Sequence, residues 1–148
     1  YQPHTLRHAI ELNVTIWLLF QTRGIHVIRM GLHEDSFHGS LGPIAGPHHP
    51  AFGELVIDRV YFEWSKHVLR DAKGAITISA PPKMIQHMAG HKGWVRKALI
   101  GPKISRMIVL QNNQTDDTIS VLSDGVQAEY QATQIYRTVL QRRGYTET

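Results

Sequence analysis

Two short stretches carry the side chains best suited to chemistry. The first is Arg29-Met30-Gly31-Leu32-His33, which closes the apolar run Ile25-His26-Val27-Ile28. A guanidinium there could pair with a carboxylate or phosphate through a planar fork of donors. Gly31 would let backbone approach a ligand closely, and His33 would lie at the same end. Arg29, Gly31 and His33 are therefore the candidate substrate- or cofactor-binding residues. The bland alternative is a strand-end arginine that meets an internal acid or only water. The second stretch is Gly90-His91-Lys92-Gly93. Two glycines let the backbone turn and come near a phosphate, Lys92 brings charge, and the start of the following helix favours an anion. Lys83, Arg96, Lys97 and Lys103 add positive potential around the turn. Gly90, His91, Lys92, Gly93, Arg96 and Lys97 are the candidate nucleic-acid-binding residues. The alternative is a corner between two helices that needs glycine for its shape.

Other patterns point to less. His48-His49, with His33 and His38 nearby, invites a metal reading, but adjacent histidines diverge and the loop spacing matches no zinc pattern. No metal site is expected, and His48 or His49 is read as packing a loop and bonding backbone. Glu34-Asp35 reads as a solvated turn. No nucleophile–histidine–acid triad, phosphate loop or dinucleotide fingerprint can be argued, so no catalytic residue is named.

These residues need elements to hold them. Over residues 5–23, Leu6, Ala9, Ile10, Ile16, Trp17 and Phe20 recur at helical spacing, with Thr5 as cap and Gly24 as stop. Residues 25–30 are short and β-branched, and read as a buried strand on which Ile25, Val27 and Arg29 share a face. A loop over 31–49 leads to a helix over 50–72, started by Pro50 and closed near Gly74. A strand over 75–79 follows. Helices over 83–89 and 94–100 flank the glycine turn. Strands over 104–111 and 118–122 read as a hairpin, and a final helix runs over 126–142. Arg137, Arg142 and Arg143 near its end complement the helix dipole.

The chain has 148 residues, 42% of them hydrophobic and 19% charged, with a net charge of +4. That is enough for one domain or two small ones, and mildly basic, which permits an anionic partner without demanding one. Cysteine is absent, so disulfides, thiolate metal sites and a cysteine-ligated iron–sulfur cluster within this chain are excluded. No apolar run approaches the ~20 residues that span a bilayer and no secretory signal is visible; a cytoplasmic location without a membrane partner is expected.

Tyr1-Gln2-Pro3 with its helix, Gly24 to Leu32, and the Gly-Pro-His-His-Pro opening before Ala51-Phe52-Gly53-Glu54-Leu55-Val56 follow one another in an order that resembles the end of a radical SAM barrel. The likeness is to the group of the elongator catalytic subunit and the coproporphyrinogen-oxidase-like proteins, and it covers most of the chain. It implies an enzyme that binds S-adenosylmethionine and a [4Fe–4S] cluster, whose Cys-x-x-x-Cys-x-x-Cys motif this chain lacks. The expected partner is then the missing N-terminal part of the barrel, with the cofactors held by the intact protein and none by this chain alone. In such barrels chemistry collects at the C-terminal strand ends, where Arg29, Gly31 and His33 would lie. The order strand, helix, G-x-x-G, helix, strand also resembles a KH domain, whose loop clamps single-stranded nucleic acid. It departs from that pattern in placing Arg96 where an apolar residue is usual.

The expected fold is α/β: the last helix and strand of a partial (β/α) barrel over residues 1–49, a connecting helix over 50–74, and a small KH-like α+β unit over 75–148. The chain opens at Tyr1 on a helical pattern, which suggests a fragment of a longer protein. The expected function is the C-terminal part of a radical SAM enzyme, acting on RNA or tRNA if it follows the elongator-type relatives. One alternative is a KH-like nucleic-acid-binding module without catalysis. The other is a structural fragment, which an exposed apolar face on residues 6–30 would favour.

Overall fold

A computed structural model describes residues 2–31, 46–113 and 116–146. Helix α1 spans Leu6–Thr22, and Thr5 caps it by accepting the His8 N–H at 3.2 Å. Gly24, with φ +70, supplies the left-handed residue at its end. The Gly24 N–H then bonds Gln21 O at 3.1 Å and the Ile25 N–H bonds Phe20 O at 2.9 Å, the double closure of a Schellman motif. Residues 25–30, expected as a strand, leave this cap without entering a sheet. A strand persists only where its N–H and C=O groups find a neighbour, and no strand among the described residues lies alongside. Val27 and Met30 pack against the core while Ile28 is 91% exposed, so the alternating buried face does not form either.

Helix α2 spans Phe52–Val68, shorter at both ends than the periodicity suggested. Its entry is set by His49, whose Nδ1 accepts the Ala51 N–H at 3.1 Å and whose carbonyl accepts the Phe52 N–H at 3.0 Å. This is the loop-packing, backbone-bonding role expected of that pair. Strand β1 (Gly74–Ala80), helix α3 (Pro82–Ala89), helix α4 (Trp94–Leu99) and strand β2 (Ile104–Gln111) follow.

The sheet differs from the expected hairpin. With β3 at Thr118–Ser123 and β4 at Val126–Gln131, its order is β2-β1-β3-β4, with β1 parallel to β2 and antiparallel to β3. Residues 104–111 and 118–123 therefore never pair; β1 lies between them, joined to β2 by the α3–α4 crossover that a parallel pair requires. The true hairpin joins β3 to β4 (Val126–Gln131). Asp124 and Gly125, at φ +52 and +75, form the kind of Asp-Gly turn that suits a two-residue loop. The last helix, α5, consequently begins at Ala132 and ends at Arg142, six residues later than expected at its start.

The chain is a mixed α/β fold with one core. Val14 and Leu18 of α1, Val60 and Trp64 of α2, Met88 of α3, Ile76 and Ile78 of β1, and Ile135 and Val139 of α5 belong to the same buried cluster. A charged clasp joins three helices beside it. Arg143 reaches Glu11 Oε2 at 2.6 Å, Glu63 Oε2 at 2.9 Å and Thr15 Oγ1 at 3.1 Å, and Arg59 lies 2.9 Å from Glu11 and 3.1 Å from Glu63. No helix among the described residues is long and apolar enough to cross a membrane.

Candidate nucleic-acid interface at the glycine turn

The crossover from β1 to β2 contains the glycine turn. Pro82 opens α3, where its missing N–H costs nothing. The chain then breaks at Gly90, whose φ is +76 and ψ 160. A Cβ at this position would lie 2.5 Å from Val95 Cγ2 and 2.8 Å from Val95 N, so only glycine fits. Lys92 sits in the left-handed region at φ +53, ψ 24, unusual for a residue with a side chain. Gly93 follows at φ +74, with no atom closer than 4.0 Å to a Cβ placed there. Val95 is fully buried. Val95 thereby anchors the start of α4 in the interior, while Arg96 is exposed.

What holds the turn is a buried carboxylate. Asp58, 1% exposed on the inner face of α2, accepts the His91 N–H at 2.6 Å and the Trp94 Nε1–H at 3.2 Å on one oxygen. Its other oxygen lies 2.7 Å from His87 Nδ1. An ionised carboxylate only accepts, so His87 carries its proton on Nδ1, and its Nε2 takes the Gln86 amide at 3.2 Å. The His87 ring also stacks on Tyr61, centroids 5.7 Å apart. Burial, followed by the charge and hydrogen bond of Tyr136, pushes the Tyr61 phenol well above its ordinary range, so it stays neutral and can keep that position. Sequence reasoning missed Asp58. Its only signal is an acid set between Val56 and Val60 in an otherwise apolar stripe.

This arrangement changes what the turn can offer a ligand. Gly90 N–H bonds Gln86 O, Gly93 N–H bonds Gly90 O, Trp94 N–H bonds His91 O, and His91 N–H goes to Asp58. Asp58 takes the His91 N–H, so that donor is not open to a ligand. At six residues, α4 is also too short to present a substantial dipole. Recognition therefore falls to side chains. Lys92, Arg96 and Lys97 are exposed and have no acidic partner among the described residues. Lys83, counted among the cations, is paired with Asp117 at 2.6 Å. His91 turns back toward α2, with Nδ1 3.4 Å from Glu54 Oε2 and its ring 5.7 Å from that of His49. The histidine pair before α2 and the glycine turn, read separately in the sequence, thus meet in space. Trp94 is half-buried against Phe62, centroids 5.1 Å apart, an anchor more than a stacking platform.

The other sequence candidates lie elsewhere. Gly31 rests on the Phe52 ring, near the start of α2, and Arg29 is exposed. His33, with Glu34, Asp35 and His38, falls outside the described residues. Among the described residues no three His, Asp or Glu side chains converge in a way that would hold a metal ion. Comparison with protein-family models, with curated proteins and with solved structures returned no match.

Proposed function

We propose that this chain is the C-terminal portion of a radical SAM enzyme. In that reading α1 and residues 25–30 dock on the rest of the barrel, and the unit built on β1–β4 presents a cationic surface to RNA, in the cytoplasm. The observation that supports docking on a larger body, in this reading as in that of a structural fragment, is the double-faced character of α1. One face buries Val14, Trp17 and Leu18, while Leu12, Ile16 and Phe20, spaced four residues apart, are 46%, 48% and 40% exposed on the other. A helix apolar on both sides is covered on both sides. Immediately beyond it lies a segment rich in β-branched residues that joins no sheet among the described residues, as expected of a last barrel strand separated from its neighbour.

The cofactors test the limits of this reading. A [4Fe–4S] cluster needs cysteine thiolates and the chain has none, so the group does not fit these residues alone. Cluster and S-adenosylmethionine would belong to the part of the barrel outside this sequence, with Arg29, Gly31 and His33 at its mouth. The test is to read the frame upstream for Cys-x-x-x-Cys-x-x-Cys and to co-express that segment with this chain. Co-purification that Ile16→Asp with Phe20→Asp abolishes supports the proposal. An upstream frame without the triplet, or co-purification indifferent to those changes, overturns it.

A second reading is a KH-like RNA-binding module without catalysis. It is favoured by the β1–α3–glycine turn–α4–β2 order and by the parallel pairing of β1 with β2. The two readings share the cationic surface and differ in whether α1 has a partner.

A further inference from the structure

At the C-terminal end of α4, between α2 and the loop from α4 to β2, runs an open groove of about 580 Å³, within the ~300–1,000 Å³ common for ligand sites. Its walls are apolar, formed by Phe62, Leu99, Ile100 and Pro102, and Lys66 and Lys103 stand on its rim. Among the described residues no acid lines it. None of Lys66, Arg96, Lys97 and Lys103 has an acidic partner among the described residues, and Lys66 lies over the Phe62 ring, 5.6 Å from its centroid. The wall is fixed in shape: the Gly101 N–H bonds Ile104 O at 3.0 Å, and the Lys103 carbonyl accepts the Gly74 N–H at 2.8 Å. Ile100 is 39% exposed over the groove. It lies one helical turn beyond Arg96, whose carbonyl takes its N–H at 3.3 Å, so the two share a face. The groove thereby continues the exposed surface of Arg96 and Lys97.

We propose that this groove is the subsite for one unstacked base of single-stranded RNA, with the flanking phosphates on Lys66, Arg96 and Lys103. The chemistry favours that occupant. A nucleobase offers a flat apolar body between two anionic groups, which is what an apolar slot with a cationic rim complements. The proposal rests on the RNA reading above and gives it a location on a face that the glycine turn alone does not define.

The experiment is fluorescence anisotropy of the full chain with a labelled ten-nucleotide oligouridine and with an abasic strand of the same length, across a salt series. The wild-type chain is expected to bind oligouridine about tenfold more tightly than the abasic strand, the scale of one stacked base. Ile100→Asp is expected to remove that difference. Lys66→Glu with Lys103→Glu is expected to weaken both strands and flatten the salt dependence by about one unit of slope. All three residues stand at the surface, and unchanged melting temperatures confirm that the variants fold. Equal affinity for the two strands, or groove variants that bind as wild type while Lys92→Asp with Lys97→Asp does not, would overturn the subsite and leave the RNA reading standing. No binding by the wild-type chain overturns both.

Discussion

Asp58 is the point at which the candidate interface is most easily broken. Replacing it with alanine strands three donors: His87 Nδ1–H, the His91 N–H and Trp94 Nε1–H, now 2.7, 2.6 and 3.2 Å from its oxygens. A hydrogen bond to a charged acceptor contributes about 1.5–3 kcal/mol, and a buried donor left alone costs about 1–3 kcal/mol. The three losses do not add fully. His91 and Trp94 are only half-buried, so water can reach the gap. A net cost of about 3–5 kcal/mol follows for Asp58→Ala, which is a large share of a typical domain stability of about 5–15 kcal/mol. Asp58→Asn keeps the shape and one acceptor oxygen for His91 and Trp94. Its amide would then face His87, which can move its own proton to Nε2 and accept on Nδ1, with the Gln86 amide turning its oxygen to Nε2. That variant is expected to lose only about 1–2 kcal/mol. Urea unfolding measures both, and amide exchange at His91 reports the turn directly, with protection lost in Asp58→Ala and largely kept in Asp58→Asn. A cost below about 1 kcal/mol for alanine, with His91 still protected, would refute the stapling role.

Other perturbations probe separate parts of the fold. Gly90→Ala drives a methyl into Val95 at a positive φ, with an expected cost of about 2–4 kcal/mol; Gly93→Ala meets open space and should cost about 1 kcal/mol, and urea midpoints rank the two. Arg143→Ala opens the clasp among α1, α2 and α5; because the pairs are partly exposed, about 2 kcal/mol is expected, read as a melting-temperature drop of about 4–8 °C. Tyr61 holds its proton in the folded chain beyond the pH, about 10, at which an unfolded phenol releases it. Its contribution is therefore complete below that pH and lost above it, and Tyr61→Phe should flatten the fall in urea midpoint between pH 8 and pH 11.

Much of the architecture was legible because it is local. The period of residues 5–23, Thr5 at one end and Gly24 at the other marked α1, and the glycines and prolines around α3 and α4 marked the crossover. What escaped depends on distance. Residues 104–111 and 118–122 look like a hairpin because they are neighbours in sequence, yet β1, more than twenty residues earlier, takes the place between them. Val126 and Tyr130 fit a helical interval as well as a strand, so the sequence pattern runs β4 into α5, and Asp124-Gly125 is the signal that separates β3 from β4 as a hairpin. Residues 25–30 have strand composition, and composition cannot supply a partner. Within the site, Gly90 to Gly93 and the exposed cations were visible, but Asp58 was not. Its burial is decided by partners 29 to 36 residues away, and those same bonds turn the backbone of the glycine loop inward.

The central claim concerns what α1 and residues 25–30 are for. Amide hydrogen exchange compares residues 25–30 in this chain with the same residues in a polypeptide that includes the upstream frame. Fast exchange here and strong protection there is the result expected of a barrel strand that regains its neighbour. Fast exchange in both would contradict the barrel reading and leave the RNA-binding module as the account of this protein.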